Sequence, residues 1–205
     1  MNLDNLGIVP KLQYECIYTT ISKDGEKNAA PIAFIYLGDE KVFCRIFEDA
    51  QTFKNIKETG KYVVNITHDP MTFAYATISN VPEDYFTDDA EIAILKDAPS
   101  YLIVNVTDIK SPTSSEREPY EINGEIKEVV VNDESVKAFN RGMGCLIESL
   151  VNYTRYHIVD EKGRKYYDER LEENQRVINK VADSETIKAI ELLKKIKKNK
   201  KEVNY

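Results

Sequence analysis

Short β-prone runs separated by turn signals fill the first 67 residues, and this spacing restricts the possible folds more than any other feature of the sequence. Tyr14 to Ser22 alternates and is rich in β-branched and aromatic residues, and Asp24-Gly25 then gives a strong hairpin signal. Further strands are predicted at residues 29–37, 41–47 and 61–67. A short helix is predicted from Thr52 to Thr59, with Gly60 just past its end. Four strands in a meander with one short helix indicate a small antiparallel barrel.

The later sequence changes from strand patterns to helix patterns near residue 133. The predicted elements between are a short helix at 88–97, a strand at 101–109, a loop at 110–119 and a strand at 122–132 that breaks at Asn123-Gly124. Helices follow at 134–157 and 165–181, and Asp183-Ser184 begins a third. The predicted class is mainly β with α (α+β), with an antiparallel barrel over residues 1–133 and a helical C-terminal extension over 134–205.

Composition and the apolar runs exclude several classes of protein. The chain of 205 residues is 42% hydrophobic and 31% charged, too apolar for a disordered protein. The longest apolar run, Ala29 to Leu37, contains a proline and is far shorter than the ~20 residues of a membrane-spanning helix. The first residues have neither a cationic flank nor an apolar core, so no secretion signal is predicted. A soluble, cytoplasmic protein without a membrane partner is expected.

The cysteines and the charge distribution argue against a metal site and a nucleic-acid partner. Cys16, Cys44 and Cys145 are widely spaced and the chain has only two histidines, so neither disulfides nor a zinc site is expected. Residues 184–205 carry seven lysines and three glutamates, while the rest of the chain is strongly acidic. This basic tail lacks arginine and is interpreted as the solvated end of a helix rather than a grip on phosphate backbones.

Most sequence motifs of enzymes that catalyse reactions with their own side chains or a bound metal are missing from the sequence. No glycine-rich phosphate loop, His-Glu-x-x-His or Gly-x-Ser-x-Gly appears. His68-Asp69-Pro70 is interpreted as a turn in which Asp69 bonds its own backbone. Redox or other difficult chemistry would therefore come from a cofactor.

The third predicted strand carries the most informative residue, Arg45. Period-two alternation places Phe43, Arg45 and Phe47 together on one face of this strand. A guanidinium buried there would need an anionic or hydrogen-bonding partner. Gln51-Thr52 follows closely and begins the short helix, with Thr52 predicted as its N-cap. A strand arginine, a hydroxyl and a helix N-terminus together suit a phosphate monoester.

An alternative interpretation of these residues remains open. Glu48 and Asp49 lie in the same loop and would repel a phosphate unless they point away. Arg45 could instead pair with one of these carboxylates, and Thr52 could merely cap the helix.

Several motifs in this order resemble a known family. Tyr18 to Pro31 reads Tyr-Thr-Thr-Ile-x-x-Asp-Gly-x-x-Asn-Ala-Ala-Pro, and it is followed by Arg45, then Gln-Thr-Phe-x-Asn-Ile at 51–56 and Tyr-Val-Val-Asn at 62–65. This arrangement resembles the N-terminal half of the FMN-binding split barrels, which include flavin reductase-like proteins. Residues 140–155 also resemble the helical extension of a largely archaeal branch of that superfamily. Gly142 and Gly144 depart from a good helix, so they mark either an interruption or the close approach of a neighbour.

The resemblance implies an FMN site and assigns residues to it. The flavin phosphate would lie against Arg45, Gln51 and Thr52. The isoalloxazine ring would lie along Asn28, Ala29, Ala30 and Pro31, where small residues let backbone amides approach its edge, with Thr19 and Thr20 nearby. Asn152 and Arg155 lie on one helical stripe with Arg141 and Glu148. This stripe is either a solvated face or, in a homodimer, a surface from which Asn152 or Arg155 could reach the flavin.

The resemblance leaves three functions open. The chain could be a flavin-dependent oxidoreductase whose FMN exchanges hydride or electrons with a nicotinamide or a deazaflavin. It could also be a flavin carrier without turnover, or a barrel without cofactor that serves as an interaction scaffold.

Overall fold

The computed structural model describes residues 3–113 and 118–203, with side chains up to residue 198. The strands are β1 (Gln13–Ile21), β2 (Lys27–Gly38), β3 (Lys41–Ile46), β4 (Lys61–Ile66), β5 (Ser100–Lys110) and β6 (Tyr120–Val131). The helices are α1 (Gln51–Thr59), α2 (Pro70–Ile78), α3 (Gly142–Arg155), α4 (Glu161–Val181) and α5 (Ser184–Val203). Residues 114–117, which belong to the loop predicted at 110–119, lie outside the described ranges.

The six strands form a closed antiparallel barrel in the order β1-β2-β3-β6-β5-β4. The predicted antiparallel barrel followed by helices is therefore confirmed. The hairpin between β1 and β2 forms at the predicted turn, where the Ser22 hydroxyl accepts the N–H groups of Asp24 at 3.2 Å and Glu26 at 3.1 Å. Gly25 has a φ of +86°, a conformation that glycine adopts without strain.

The barrel interior is filled by alternate residues of each strand. On β3, Val42, Cys44 and Ile46 are buried while Arg45 is exposed, as the predicted alternation requires. At the centre the rings of Tyr18 and Tyr62 stack with centroids 4.7 Å apart. The barrel therefore has an apolar interior, and the polar side chains of β3 lie on its outer face.

The strand break predicted at Asn123-Gly124 is wrong, because β6 runs through both residues. A Cβ atom at Gly124 would lie 2.5 Å from Val104 Cγ1 and 2.9 Å from the Tyr62 hydroxyl. Glycine is therefore required here for close packing inside the barrel rather than for a turn.

The helix predicted at 88–97 is also wrong, since this segment consists of bends and irregular chain, with a bridge from Leu95 to Phe86 and a turn at its end. The Asp89 carboxylate accepts the N–H groups of Glu91 at 2.8 Å and Ile92 at 3.1 Å. No helix follows these bonds, because the end of the segment pairs back onto the residues before it: the Thr87 N–H donates to the Ile94 carbonyl at 2.9 Å, and the Lys96 N–H donates to the Tyr85 carbonyl at 2.9 Å.

The turn predicted at His68-Asp69-Pro70 is the start of α2, which the sequence did not predict. Asp69 caps this helix by accepting the N–H of Met71 at 3.2 Å and that of Thr72 at 2.9 Å, and Pro70 occupies the first turn.

The chain divides into two compact units, the first ending at Phe139 and the second beginning at Asn140. Residues 134–139, predicted as helix, instead follow the barrel: Ala138 N–H donates to the Leu6 carbonyl at 2.8 Å and Phe139 pairs with Glu15. The domain boundary after residue 133 stays a prediction.

The second unit contains α3, α4 and α5 around a small apolar core formed by Leu146, Leu171, Ile178, Ile190 and Leu193. Helix α3 begins at Gly142, where a Cβ atom would lie 2.6 Å from the Ala182 Cβ. Gly142 thus marks the close approach of a neighbour, one of the two predicted alternatives, whereas a Cβ at Gly144 would meet nothing within 4 Å. Asp183 caps α5 as predicted, by accepting the Thr186 N–H at 2.8 Å. In the described ranges no helix combines the length and apolar content needed to span a membrane.

Burial inside the barrel raises the pKa of four neighbouring acidic groups. The pKa of the Cys44 thiol rises from 9.0 to about 12, chiefly through desolvation. The pKa values of Cys16, Tyr18 and Tyr62 rise well above their usual range for the same reason. The folded protein therefore keeps these protons at pH values where the unfolded chain releases them.

We predict that the free energy of unfolding falls as pH rises above about 9. The stabilisation is complete below the unfolded pKa values and is lost towards the folded ones, at up to ~1.4 kcal/mol per pH unit for each group. Urea unfolding between about pH 8 and about pH 10.5 measures this slope. The slope should become shallower in Tyr62→Phe and stay unchanged in the exposed control Tyr166→Phe; equal slopes in both variants would contradict the prediction.

Candidate functional site

The predicted site residues of the barrel lie on four neighbouring elements: β1, the start of β2, the end of β3 and the start of α1. The strand register places Thr19 opposite Ala29 and Thr20 opposite Asn28. The Asn28 amide donates to the Thr52 hydroxyl at 3.0 Å, which joins the start of β2 to the first turn of α1. The structure therefore brings together Thr20, Asn28 and Thr52.

The start of α1 differs from its predicted form. The N-cap is Ala50, which has no capping side chain, so the prediction that Thr52 caps the helix is wrong. Phe53 and Lys54 donate their N–H groups to the Ala50 carbonyl at 3.0 Å and 3.3 Å. In the described part of the chain, the N–H groups of Gln51 and Thr52 have no acceptor. Two backbone donors thus remain available at the positive end of the helix dipole.

The Thr52 side chain adds a third donor to this helix start. Thr52 is 1% exposed, and its hydroxyl oxygen accepts the Asn28 amide proton. A hydroxyl can donate one proton while accepting others, and no hydrogen bond among the described residues uses the Thr52 proton.

A buried amide, Asn55, anchors this turn to the barrel, although it was not among the predicted site residues. The Gln51 side-chain amide donates to Asn55 Oδ1 at 2.8 Å, and Asn55 Nδ2 donates to the Thr20 hydroxyl at 3.0 Å. Asn55 is almost completely buried. Its sequence signals were its place in the Gln-Thr-Phe-x-Asn-Ile motif and its polar character on the helix face that also buries Phe53 and Ile56.

Arg45 lies on the outer face of the barrel, where its side chain is 52% exposed. The expectation that its guanidinium is buried is therefore wrong. The guanidinium lies over the Phe43 ring at 4.8 Å and donates to Glu121 Oε1 at 3.1 Å. The pairing follows from the β3–β6 register, which sets Arg45 opposite Glu121. The partner is therefore neither Glu48 nor Asp49, as the alternative interpretation supposed. An exposed pair of this kind contributes only about 0–1 kcal/mol, so Arg45 can exchange Glu121 for another anion at small cost.

The start of β2 offers less backbone than predicted. The Ala29 N–H donates to Asn80 Oδ1 at 2.9 Å, and Asn80 Nδ2 donates to the Lys27 carbonyl at 2.9 Å. The Asn80 amide thereby substitutes for a strand at this edge, and the expectation of a free Ala29 amide is wrong. Ala30 pairs with Tyr18 in the ladder, and Pro31 has no N–H. What this segment presents is the half-buried Asn28 and Ala30 and the exposed Pro31.

Thr19 is fully buried and serves the fold. Its hydroxyl donates to the Ala93 carbonyl and accepts the Asn65 amide at 2.9 Å. Thr19 thus fixes the segment that follows the 3-10 turn at Glu83–Tyr85, and its proton is already in use.

Asn152 and Arg155 belong to α3 in the second unit. Asn152 is half-buried and Arg155 is exposed at the last residue of the helix. Their assignment to the cofactor stays a prediction.

Comparison with known proteins gives a family match over most of the chain. The family model for the N-terminal domain of DUF447, which is described as a protein of unknown function, matches residues 14–133. A second DUF447 family model matches residues 140–195. The uncharacterised protein MJ1453 of Methanocaldococcus jannaschii is 27% identical over 146 residues, covering 68% of this chain and 72% of that protein.

Solved structures share the fold. The FMN-bound DUF447 protein MM1853 from Methanosarcina mazei is 24% identical, with a TM-score of 0.56 over 95% of this chain and 99% of its own. The flavin reductase HpaC complexed with NADP+ is 19% identical, with a TM-score of 0.50 over 63% of this chain and 84% of its own. The structural similarity to both proteins supports the barrel architecture.

We predict that Asn80→Ala destabilises the protein by about 1–3 kcal/mol, because it leaves the Ala29 N–H and the Lys27 carbonyl unpaired at the barrel edge. Asn80→Asp keeps the acceptor and loses the donor, so it should have an intermediate effect. Urea unfolding measures both, with exposed Asn105→Ala as a control expected within about 0.5 kcal/mol of the parent. A parent-like Asn80→Ala would contradict the strand-substitute role.

Proposed function

The chain belongs to the DUF447 family, and we propose that it binds FMN on the outer face of its barrel, with the phosphate at the start of α1. The observation that carries this proposal is the set of three donors at that helix start: the N–H groups of Gln51 and Thr52 and the hydroxyl proton of Thr52. A phosphate monoester accepts several hydrogen bonds and is stabilised at a helix N-terminus. The FMN-bound relative MM1853 supports the same cofactor.

Arg45 supplies the charge that this site needs. The Arg45–Glu121 pair is exposed on both sides, with 52% and 40% of the two side chains accessible, so exchanging the carboxylate for a phosphate dianion costs little. The Phe43 ring holds the guanidinium on the outer face during such an exchange. Arg45 would therefore add a charge-assisted contact to the three donors of α1.

The isoalloxazine ring is proposed to lie along residues 28–31. Ala30 and Pro31 provide apolar surface, and Asn28 provides a side-chain oxygen while its amide nitrogen holds Thr52. Ala29, Thr19 and Thr20 shape this strand pair from within, through Asn80, Asn65 and Asn55.

We further propose that the protein is a flavin-dependent oxidoreductase. Bound FMN would supply hydride or electron exchange, and the residues described above bind and orient it. A nicotinamide donor is supported by HpaC, which is described in complex with NADP+, and a deazaflavin donor remains an alternative. A flavin carrier without turnover is the second candidate function.

We also propose that the protein forms a homodimer and lies in the cytoplasm. Helix α2 carries no charged residue and exposes an apolar stripe formed by Met71, Tyr75 and Ile78. Helix α3 exposes a second apolar stripe, formed by Met143, Ile147 and Leu150. Such faces are typical of interaction surfaces. The three cysteines are unpaired thiols, which suits a reducing compartment.

Arg45→Ala is predicted to weaken FMN by about 1.5–3 kcal/mol, roughly 10- to 150-fold, and to leave riboflavin nearly unaffected, because only FMN carries the phosphate. Thr52→Val should act in the same direction, whereas Thr52→Ser keeps the hydroxyl and should bind normally. Titration monitored by flavin fluorescence measures the affinities.

The matched control is Arg176→Ala, which removes another exposed arginine–glutamate pair, with Glu173, in the second unit. It should bind FMN normally. Equal losses of FMN and riboflavin in Arg45→Ala would remove Arg45 from the phosphate site, and a parent protein that binds neither flavin would overturn the proposed function.

The redox proposal is tested on the FMN-loaded protein. We expect a reduced nicotinamide or a reduced deazaflavin to bleach the flavin absorbance near about 450 nm, and air to restore it. Free FMN at the same concentration is the control. Bleaching no faster than in that control would favour the carrier.

A further inference from the structure

Helix α2 presents an apolar face on the outside of the barrel. Met71, Tyr75 and Ile78 are spaced four and three residues apart, so they share one side of the helix. Their exposed fractions are 49%, 37% and 82%, whereas Thr72 and Ala76 are buried beneath them. A contiguous apolar stripe on a helix without charged residues is typical of a surface that binds a partner.

The segment that begins at α2 carries most of the net charge of the chain. Residues 69–97 contain seven acidic residues and one lysine, a net charge of −6 in a chain of net charge −7. The acidic residues are Asp69, Glu83, Asp84, Asp88, Asp89, Glu91 and Asp97. The lysine is Lys96, and Lys27 reaches the segment from β2 by donating to the Thr87 carbonyl at 2.7 Å.

Part of this negative charge lies directly beside the apolar face. The Tyr85 ring meets the Tyr75 ring edge-on, with centroids 6.0 Å apart and an angle of 83° between their planes. Desolvation and the neighbouring Tyr75 hydroxyl raise the pKa of Tyr85. Three nearby carboxylates raise this pKa further; they belong to Asp69, Asp84 and Asp97. We call the apolar face together with these carboxylates the α2 surface.

The carboxylates at the edge of the α2 surface have no opposite charge of their own. Among residues 3–113 and 118–198, no lysine or arginine forms an ion pair with Glu83, Asp84 or Asp97. The protein therefore presents apolar and aromatic side chains with uncompensated negative charge around them.

We propose that the α2 surface docks a basic protein whose contact face has an apolar centre surrounded by lysines or arginines. Opposite charges across an interface speed association and select the partner, and the apolar stripe supplies area to bury. The exposed Tyr75 ring can also accept a cation on its face.

The same charges argue against a second copy of this chain on the α2 surface. A two-fold interface sets each patch against itself, so two segments of net charge −6 would meet. Like charges brought together in an interface cost several kcal/mol. The occupant is therefore a protein of opposite charge.

The α2 surface lies next to the proposed position of the flavin ring. Asn80, two residues after α2, accepts the Ala29 N–H at 2.9 Å and donates to the Lys27 carbonyl at 2.9 Å. A docked protein would thus be a neighbour of residues 28–31. This last step rests on the proposed function, whereas docking itself needs no cofactor.

Calorimetric titration with cytochrome c, a small basic protein whose haem edge is surrounded by lysines, tests the docking. We expect binding at low ionic strength that weakens about 10-fold or more when salt is added. Asp84→Asn and Asp97→Asn should each weaken binding roughly 2- to 5-fold. Ile78→Ser changes no charge and should weaken it roughly 5- to 10-fold, because it removes apolar area.

The matched control is Asp39→Asn, which removes one exposed carboxylate from the turn between β2 and β3, at the other end of β2 from Ala29. Asp39 has a φ of +50°, which asparagine also tolerates. This variant should bind cytochrome c as the parent does. The acidic protein α-lactalbumin is the control probe and should not bind.

The proposal is overturned if the parent does not bind cytochrome c, if it binds α-lactalbumin equally well, or if Asp39→Asn weakens binding as much as Asp84→Asn. It is also overturned if Ile78→Ser binds like the parent, or if sedimentation shows that Ile78→Ser changes the oligomeric state, which would assign α2 to a contact between copies. Titrations with and without FMN should agree. A protein that binds cytochrome c but no flavin would overturn the proposed function and support the docking.

Discussion

Closure of the barrel between β1 and β4 is the constraint on which the other elements depend. The seam contains only three register pairs, Ile17 with Asn65, Tyr18 with Val64 and Thr19 with Val63. The fully buried Asn65 side chain reinforces it by donating to the Ile17 carbonyl at 3.1 Å and to the Thr19 hydroxyl at 2.9 Å. Its oxygen accepts the Leu95 N–H at 3.1 Å and so brings the 93–95 segment onto the seam. One amide thus links both strands and the adjoining loop.

Around the candidate site, other amide side chains also link elements by hydrogen bonds. Asn55 joins α1 to β1, Asn28 joins β2 to α1, and Asn80 completes the edge of β2. Since an amide carries both a donor and an acceptor, each can replace a missing backbone partner where the ladder ends. The donors at the start of α1 therefore rest on a scaffold whose polar groups are largely satisfied, which is the condition for presenting a few unsatisfied ones to a ligand.

Local signals predicted the fold well, and partners distant in the sequence limited the prediction of the site. The Asp24-Gly25 turn and the alternation on β3 depend on neighbouring residues, so the sequence contained them. Glu121 is 76 positions from Arg45 and Asn80 is 51 positions from Ala29, and no local pattern indicates such pairs. Helix α2 was missed because its apolar residues lack helical periodicity, and the strand break at Gly124 was predicted because a packing glycine resembles a turn glycine.

The pairing of Arg45 with Glu121 has a consequence for the protein before any ligand arrives. With a carboxylate at 3.1 Å, the local field of the guanidinium is largely neutralised, so the outer face does not attract every passing anion. In the proposed site, a ligand that brings more negative charge than one carboxylate, and that also reaches the donors of α1, would gain most by displacing Glu121. Through the register that sets Glu121 opposite Arg45, the proposed site would favour a phosphate dianion over a single carboxylate, although Glu121 need not touch the ligand.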